Sequence, residues 1–214
     1  MTAKAKDNLP RQWAGYYRWT AKRPPRELLV QVLNHIDWER TSKTRRTAID
    51  LGFGAGTDTL ELLRRGWRVL AIDGQASAAV FLSRRVPTHL RAHLTTLVAP
   101  MEGLDLPPAD LIYASFSLPF CEPRKFPALW STIRQAIRPG GHFAGQLFGD
   151  RDEWHGARPL SFHTAREVQG LARGFKVELL RETVEDGMSF GGPKQWHFYD
   201  LILGKPPRAD HTKS

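Results

Sequence analysis

The sequence is poor in cysteine: Cys121 is the only one among 214 residues. An intrachain disulfide is therefore excluded, and nothing points to an oxidising compartment. Long apolar stretches are also missing. No run approaches the roughly 18 residues that a membrane-spanning helix needs. The opening "MTAKAKDNLPRQW" has charges but no apolar core behind them, so no secretory signal is expected and the cytoplasm is the expected compartment. Internal repeats and low-complexity tracts are absent too, which excludes solenoids and linker-type chains. A single domain that buries a real core is expected at this length.

What is present is unevenly placed. The net charge is +9, and residues 1–46 hold eleven Lys or Arg against four Asp or Glu, giving 11 − 4 = +7 there. Such a segment attracts nucleic acid or an anionic substrate, or simply forms a solvated face. Within it, Trp13 and Tyr17 stand four apart and Tyr16 and Trp19 three apart, the spacing of one helix face. Pro24 and Pro25 suit a helix start, and Leu28, Leu29, Val32, Leu33 and Ile36 follow at helical spacing.

From Thr47 onward short apolar runs alternate with helical patterns. "TAIDL", "WRVLAI", "HLTTLVA", "DLIYAS" and "HFAGQLF" read as strands one to five. "FKVELLRET" and "WHFYDLILG" read as two closing strands, with "VEDGMSFGGP" as a loop between them. This order predicts a mostly parallel, doubly wound α/β sheet with an antiparallel pair at one edge. The expected organisation is a tail and helical cap over residues 1–44, a main domain over 45–204 and a short tail over 205–214.

The most informative stretch is "DLGFGAGTDTLELLRRGWRVLAID", Asp50 to Asp73. Ligands of open α/β sheets sit outside the carboxyl ends of the strands, so Asp50 and Asp73 both face the crevice. An acid about 20 residues past a glycine loop accepts hydrogen bonds from ribose hydroxyls. A pyrophosphate of a nicotinamide or flavin dinucleotide would want G-x-G-x-x-G, but here Gly56 comes one position early. It would also meet two carboxylates, Asp50 and Asp58. S-adenosylmethionine carries no phosphate. It brings a ribose, an adenine, a sulfonium and an ammonium, and Asp50 suits that cationic end. Gly52, Gly54 and Gly56 allow close backbone approach.

On these residues the chain resembles class I S-adenosylmethionine-dependent methyltransferases. "DLGFGAG" is similar to their first motif and "VLAID" to their second, while "ADLIYASFSLPF" and "IRPGGHF" resemble those around strands four and five. The small single-domain type with an N-terminal cap, including tellurite-resistance-like and thiopurine-type enzymes, is nearest. The resemblance implies a seven-stranded Rossmann-like sheet with its last strand antiparallel. It implies Asp73 on the ribose and the three glycines beneath the methionine portion. The usual adenine-reading Asp after strand three is replaced at Pro100, which leaves Met101 and Glu102 for the adenine. Ser115 ends strand four beside the cofactor. Similar small enzymes use an N-terminal lid, which implies Tyr17 and Arg26 on the cofactor and Trp13 and Tyr16 toward the acceptor.

Methyl transfer is an in-line displacement, so alignment supplies much of the rate and a base is needed only for some acceptors. "SFSLPF" loosely resembles the Asn/Asp/Ser-Pro-Pro-Tyr/Phe motif of amino-group methyltransferases, with Ser117, Pro119 and Phe120 in place and Leu118 breaking it. Phe116 and Phe120 are expected to line an apolar acceptor pocket. Lys194 and Trp196 are expected to border it. His155, His163 and His197 are the candidate bases. His89 and His93 have metal-ligand spacing but no evident third ligand, so no metal is expected. Cys121 reads as a buried structural thiol. The expected function is methylation of a small molecule. An RNA methyltransferase using the basic cap and a non-catalytic scaffold remain as alternatives.

Overall fold

The computed structural model describes residues 9–38, 46–157 and 159–207. Two helices come first, α1 (Leu9–Thr20) and α2 (Glu27–Trp38). The next elements are β1 (Thr47–Leu51), α3 (Thr57–Arg64), β2 (Arg68–Asp73), α4 (Ala76–Arg85) and β3 (Leu94–Val98). Then come β4 (Ala109–Ala114), α5 (Phe126–Ala136), β5 (Ile137–Gly149), a two-residue β6 (Phe162–His163) and α6 (Ala165–Leu171). The chain closes with β7 (Lys176–Ser189) and β8 (Gly192–Gly204).

The sheet runs β3-β2-β1-β4-β5-β8-β7, and β6 pairs with β5 as a short eighth strand. Pairings among β1 to β6 are parallel, while β8 is antiparallel to both β5 and β7. The period of two along each strand sends alternate residues to opposite faces. Ala48 packs toward the cap and α3–α4, whereas Ile49 and Leu51 pack toward α5. On β5, Ala144 belongs to the cap side and Phe143 and Leu147 to the α5 side; on β8, Ile202 and Leu201 divide in the same way. By this alternation Gln146 and Asp200 face the cap side, directly paired across the two strands.

The cap shares this core. Leu29, Val32 and Leu33 of α2 have no exposed surface and join the cluster that holds Leu60, Leu63 and Leu82 of α3 and α4. Full burial of a Leu or Val side chain contributes about 1.5–3 kcal/mol, so the apolar stripe of α2 explains why it docks. Gly66, in the left-handed region at φ 82°, ends the turn after α3.

The chain differs from expectation in its last hairpin. "VEDGMSFGGP" is mostly strand: β7 and β8 pair from Lys176↔Gly204 out to Ser189↔Gly192. Cross-strand pairing fixes these residues, and no local pattern announces it. The tip bends onto α1, where a Cβ on Gly15 would lie 2.9 Å from the Phe190 ring. Phe190 also meets Tyr16 and Trp19, each with centroids 6.1 Å apart. The strand-five region begins earlier than "HFAGQLF", at Ile137, which pairs with Ala109.

Candidate active site

The loop after β1 turns through three glycines in the left-handed region, Gly52 (φ 73°), Gly54 (φ 54°) and Gly56 (φ 73°). Other residues are strained there. A Cβ on Gly52 would lie 2.3 Å from Ser117 Cβ, and one on Gly56 2.4 Å from a Leu82 methyl. These two positions let the loop pass close to the β4 edge and to α4. Asp73 closes the crevice at the end of β2. Its Oδ2 accepts from the Gly54 N–H at 2.9 Å, and its Oδ1 from the Gln75 N–H at 2.9 Å. Burial raises its carboxyl above the ordinary value, against the hydrogen bonds that lower it.

Asp50 is almost wholly buried and accepts from the Thr59 hydroxyl at 2.5 Å. Its pKa rises to about 7, chiefly because burial disfavours the charge. An acid held near half-ionisation in a buried crevice is a site that a cation stabilises. Asp58 does something else. Both its oxygens take the Arg23 guanidinium, at 3.0 and 2.7 Å, and it also accepts from the Arg26 N–H and the Tyr113 hydroxyl. The charge at Asp58 is thus matched by the cap, so only Asp50 carries the electrostatic objection to a pyrophosphate. Arg85 of α4 adds a further tie, donating to the Ala55 and Ala21 carbonyls.

α1 lies over this crevice. The Tyr17 ring sits 3.6 Å from the position of a Cβ on Gly54, and its hydroxyl donates to Asp73 Oδ1 at 3.3 Å. Asp73 and Tyr17 are both buried. Burial, reinforced by the Asp73 charge, pushes the Tyr17 phenol far up, so it stays a donor. Met101 packs against the core cluster on the α5 side, and Glu102 accepts from the Glu122 N–H at 3.3 Å. Burial, then the neighbouring Glu102, pushes the Cys121 thiol up to about 12. The Ser115 hydroxyl is buried without a hydrogen bond of good geometry.

Beside the crevice, at the carboxyl edge of the sheet, opens a cavity of about 1010 Å³. Trp13, Tyr16, Phe116, Phe120 and Trp196 line it, as the sequence places them, and so does Arg26. The Arg26 guanidinium stacks on the Phe116 ring at 4.6 Å, and its Nε makes no hydrogen bond. Phe116 has φ 50°, the one non-glycine residue in the left-handed region among the described residues. Such backbone strain costs about 1–3 kcal/mol and collects at ligand sites. The floor of the cavity holds Gln146 and Asp200. Gln146 Nε2 donates to Asp200 Oδ1 at 2.9 Å, and Arg181 holds Asp200 Oδ2 at 2.8 Å. Gln146 Oε1 is buried and accepts nothing.

Several expected site residues lie elsewhere. Lys194 is not on the cavity wall: its ammonium is buried against the Asp152 carboxylate and sits 3.9 Å from the Trp196 ring centre. It supports that ring from behind. His155 is exposed against Phe162, and His163 packs on Phe126 at 4.5 Å, its pKa lowered by burial. His197 is fully buried, with Nδ1 accepting from the Arg151 N–H and Nε2 2.9 Å from Glu182. No histidine lines the cavity among the described residues. Sequence reasoning missed Gln146 and Asp200. Their signal was there: each is a polar residue inside an apolar strand run, "HFAGQLF" and "WHFYDLILG".

The sheet order, the antiparallel β8 and a glycine loop facing an acid at the end of β2 define the class I fold of S-adenosylmethionine-dependent methyltransferases. Residues 48–141 match the family model of the methyltransferase domain. Among curated proteins it is similar to the carboxy-S-adenosyl-L-methionine synthase of Aliivibrio fischeri, 30% identical over 109 residues. That stretch is 48% of this chain and 45% of the relative, so the chain spans under half the length of the relatives it matches. Among solved structures it is similar to TehB from Haemophilus influenzae, with TM-score 0.68, 15% identity, and coverage of 82% of this chain and 61% of that one. It is also similar to the 1,6-didemethyltoxoflavin-N1-methyltransferase of Burkholderia thailandensis, solved with S-adenosylhomocysteine. That match has TM-score 0.67 and 20% identity, covering 96% of this chain and 92% of the other. These structural likenesses speak for the fold, and the class uses S-adenosylmethionine.

Proposed function

We propose that this chain is an S-adenosylmethionine-dependent methyltransferase whose acceptor is a small, flat, aromatic molecule. The observation that carries the reading is the ring-lined cavity directly beside the glycine loop. A cavity of about 1010 Å³ suits a ligand of a few fused rings, and aromatic walls favour stacked or edge-on contact. The toxoflavin-type acceptor named for the Burkholderia neighbour is of this kind.

The residues fit the cofactor on two counts. The glycines leave backbone bare where a nucleoside must approach, and Asp50 is a buried acid in want of a cation. In this reading Asp73 holds the ribose hydroxyls once Tyr17 withdraws from it. Gly52, Gly54 and Gly56 lie under the methionine portion, and Asp50 with Thr59 favours the ammonium. Met101 flanks the adenine, while Glu102 reaches it only by leaving Glu122. Ser115 offers its hydroxyl at the β4 edge. Once bound, the cofactor supplies an activated methyl. The protein's own part is to orient and to exclude water. Arg26 grips an acidic substituent of the acceptor or the cofactor carboxylate, and Gln146 Oε1 accepts from an acceptor N–H or O–H. Among the described residues no histidine lines the cavity, and of its carboxylates Asp200 is taken by Gln146 and Arg181, while Glu27 and Glu185 stand on the wall. This favours an acceptor atom that is nucleophilic with little help, a ring nitrogen or an already ionised oxygen or sulfur. Of the eleven cations of the basic segment, Arg23 and Arg46 are engaged by Asp58 and by the Ile36 carbonyl, and RNA stays the second reading.

The test is calorimetric titration with S-adenosylmethionine and S-adenosylhomocysteine, followed by mass spectrometry after incubation with a panel of heteroaromatic acids. Micromolar binding lost by at least about 100-fold in Asp73→Ala, with a gain of 14 mass units on an acceptor, is expected. Binding of neither compound would sink the reading. A carboxylated cofactor instead of a methylated acceptor would assign the chemistry for which the Aliivibrio relative is named.

A further inference from the structure

The geometry points to a metal site, remote from the cavity, in which His35, His142 and Glu178 bind one divalent cation of the zinc type. The three come from three elements: the last turn of α2, the amino half of β5 and the start of β7. Each offers one ligand atom, and the three atoms lie within 4.8 Å of one another. Glu178 Oε2 is 3.0 Å from His35 Nε2 and 3.4 Å from His142 Nε2. Nitrogen and oxygen ligands at about 2.0–2.2 Å from a tetrahedral zinc stand about 3.3–3.5 Å apart. Two edges of the triangle are therefore close to the required length already.

Three further features set this cluster apart from a surface ion pair. Glu178 sits at an irregularity: Val177 pairs with Leu203 and Leu179 with Ile202, leaving Glu178 as the extra residue between them. A bulge of this kind re-aims a side chain, here from the solvent edge toward the cap side. The carboxylate is consequently only 10% exposed, and its buried Oε2 accepts no hydrogen bond of proper geometry. Finally, Gly204 of β8, the partner of Lys176, lies beside the carboxylate. A Cβ there would lie 2.8 Å from Glu178 Oε1 and 3.5 Å from His142 Nε2. The sheet thus keeps open the space between the donors. Lys176 Nζ, 3.6 Å from Glu178 Oε1, competes only for the outer oxygen.

Two imidazoles and one carboxylate match borderline cations such as Zn²⁺ or Co²⁺ rather than Ca²⁺ or Mg²⁺, which prefer all-oxygen shells. His35 has the most exposed side chain of the three, at 34%, while its Nε2 is turned inward and buried. The bound ion would fasten α2 of the cap to two strands of the sheet. This role is independent of the methyltransferase reading.

The experiment uses the tag-free chain, stripped with chelator and titrated with Zn²⁺ by calorimetry, with metal content by mass spectrometry and Co²⁺ substitution followed by visible absorption. One equivalent per chain, a rise in melting temperature with Zn²⁺ and a cobalt spectrum of low coordination number are expected. His35→Ala and Glu178→Gln should each weaken Zn²⁺ at least about 100-fold, beyond what loss of an outer-shell partner costs. His35 lies at the helix surface, so its variant keeps the fold, as far-UV circular dichroism will verify. Less than a tenth of an equivalent bound, or undiminished affinity in folded His35→Ala, would overturn the site.

Discussion

The crevice at the glycine loop and the cavity beside it lie against the same helix, yet they are built from opposite materials. The crevice is made of backbone and acids, and it is shut: Asp50, Asp73 and Tyr17 are all buried. The cavity is made of rings and is open. The first is assembled from neighbours in the chain, Asp50 to Asp73. The second gathers side chains from α1, the loop after β4, β5, β7 and β8. Recognition of a common cofactor needs few residues at fixed spacing, and a particular acceptor needs many that converge from afar.

The largest break in this comparison comes from the hub that joins the regions. Asp58→Ala leaves the Arg23 guanidinium, the Arg26 N–H and the Tyr113 hydroxyl without their acceptor. A loss of about 3 kcal/mol is expected, since removing one partner of a buried pair strands the others. Chemical denaturation would read it, and a loss below about 1 kcal/mol would mean that the cap docks by apolar contact alone. Trp196→Ala should act on one region only. The acceptor KM should rise about tenfold with cofactor affinity unchanged, as for a truncated aromatic anchor. Equal effects on both would show that the two pockets are one.

The acid at Asp50 gives the crevice a pH signature that the cavity lacks. With its folded pKa near 7, the folded protein keeps a proton at this group that the unfolded chain has lost above about pH 4. Its contribution to the stability of the empty protein therefore falls as pH rises from about 4 to 7. Affinity for a cationic ligand changes the other way. S-adenosylmethionine should bind about tenfold more tightly at pH 8 than at pH 6, and Asp50→Asn should flatten that slope. The smallest effect belongs to Tyr17→Phe. Removing a hydroxyl that competes for Asp73 should tighten cofactor binding by about threefold, within the worth of one neutral hydrogen bond. Weaker binding would instead make Tyr17 a cofactor ligand.

The same contrast decides what could be read from the chain. The glycine loop, Asp73 and the succession of strands along the chain were legible because each rests on spacing within some thirty residues or on a repeated β–α alternation. The lining positions of Phe116 and Phe120 followed from the rule that places sites at the carboxyl edge of such sheets, whereas those of Trp13, Tyr16 and Trp196 came from the family resemblance. The contact of Tyr17 with Asp73 was not legible, because 56 residues separate them. Nor was the neutralisation of Asp58 by Arg23, 35 residues away, which removes half of the charge argument made from the loop alone. The hairpin extension to Phe190 escaped because pairing, and not propensity, holds residues such as Gly187 and Pro193 in strands. Lys194 misled for a related reason: its sequence neighbours point at the cavity, while its buried partner Asp152 is 42 residues distant.

α1 touches the hairpin tip through Gly15 and Tyr16 while its Tyr17 covers the crevice. An acceptor seated between Trp13, Tyr16 and Phe190 would press this helix down on the place that the nucleoside must enter. Under the proposed function, turnover would then be a queue with one order: cofactor in first, acceptor second, spent nucleoside out last. Excess acceptor would jam the queue, and the rate would pass through a maximum as acceptor concentration climbs.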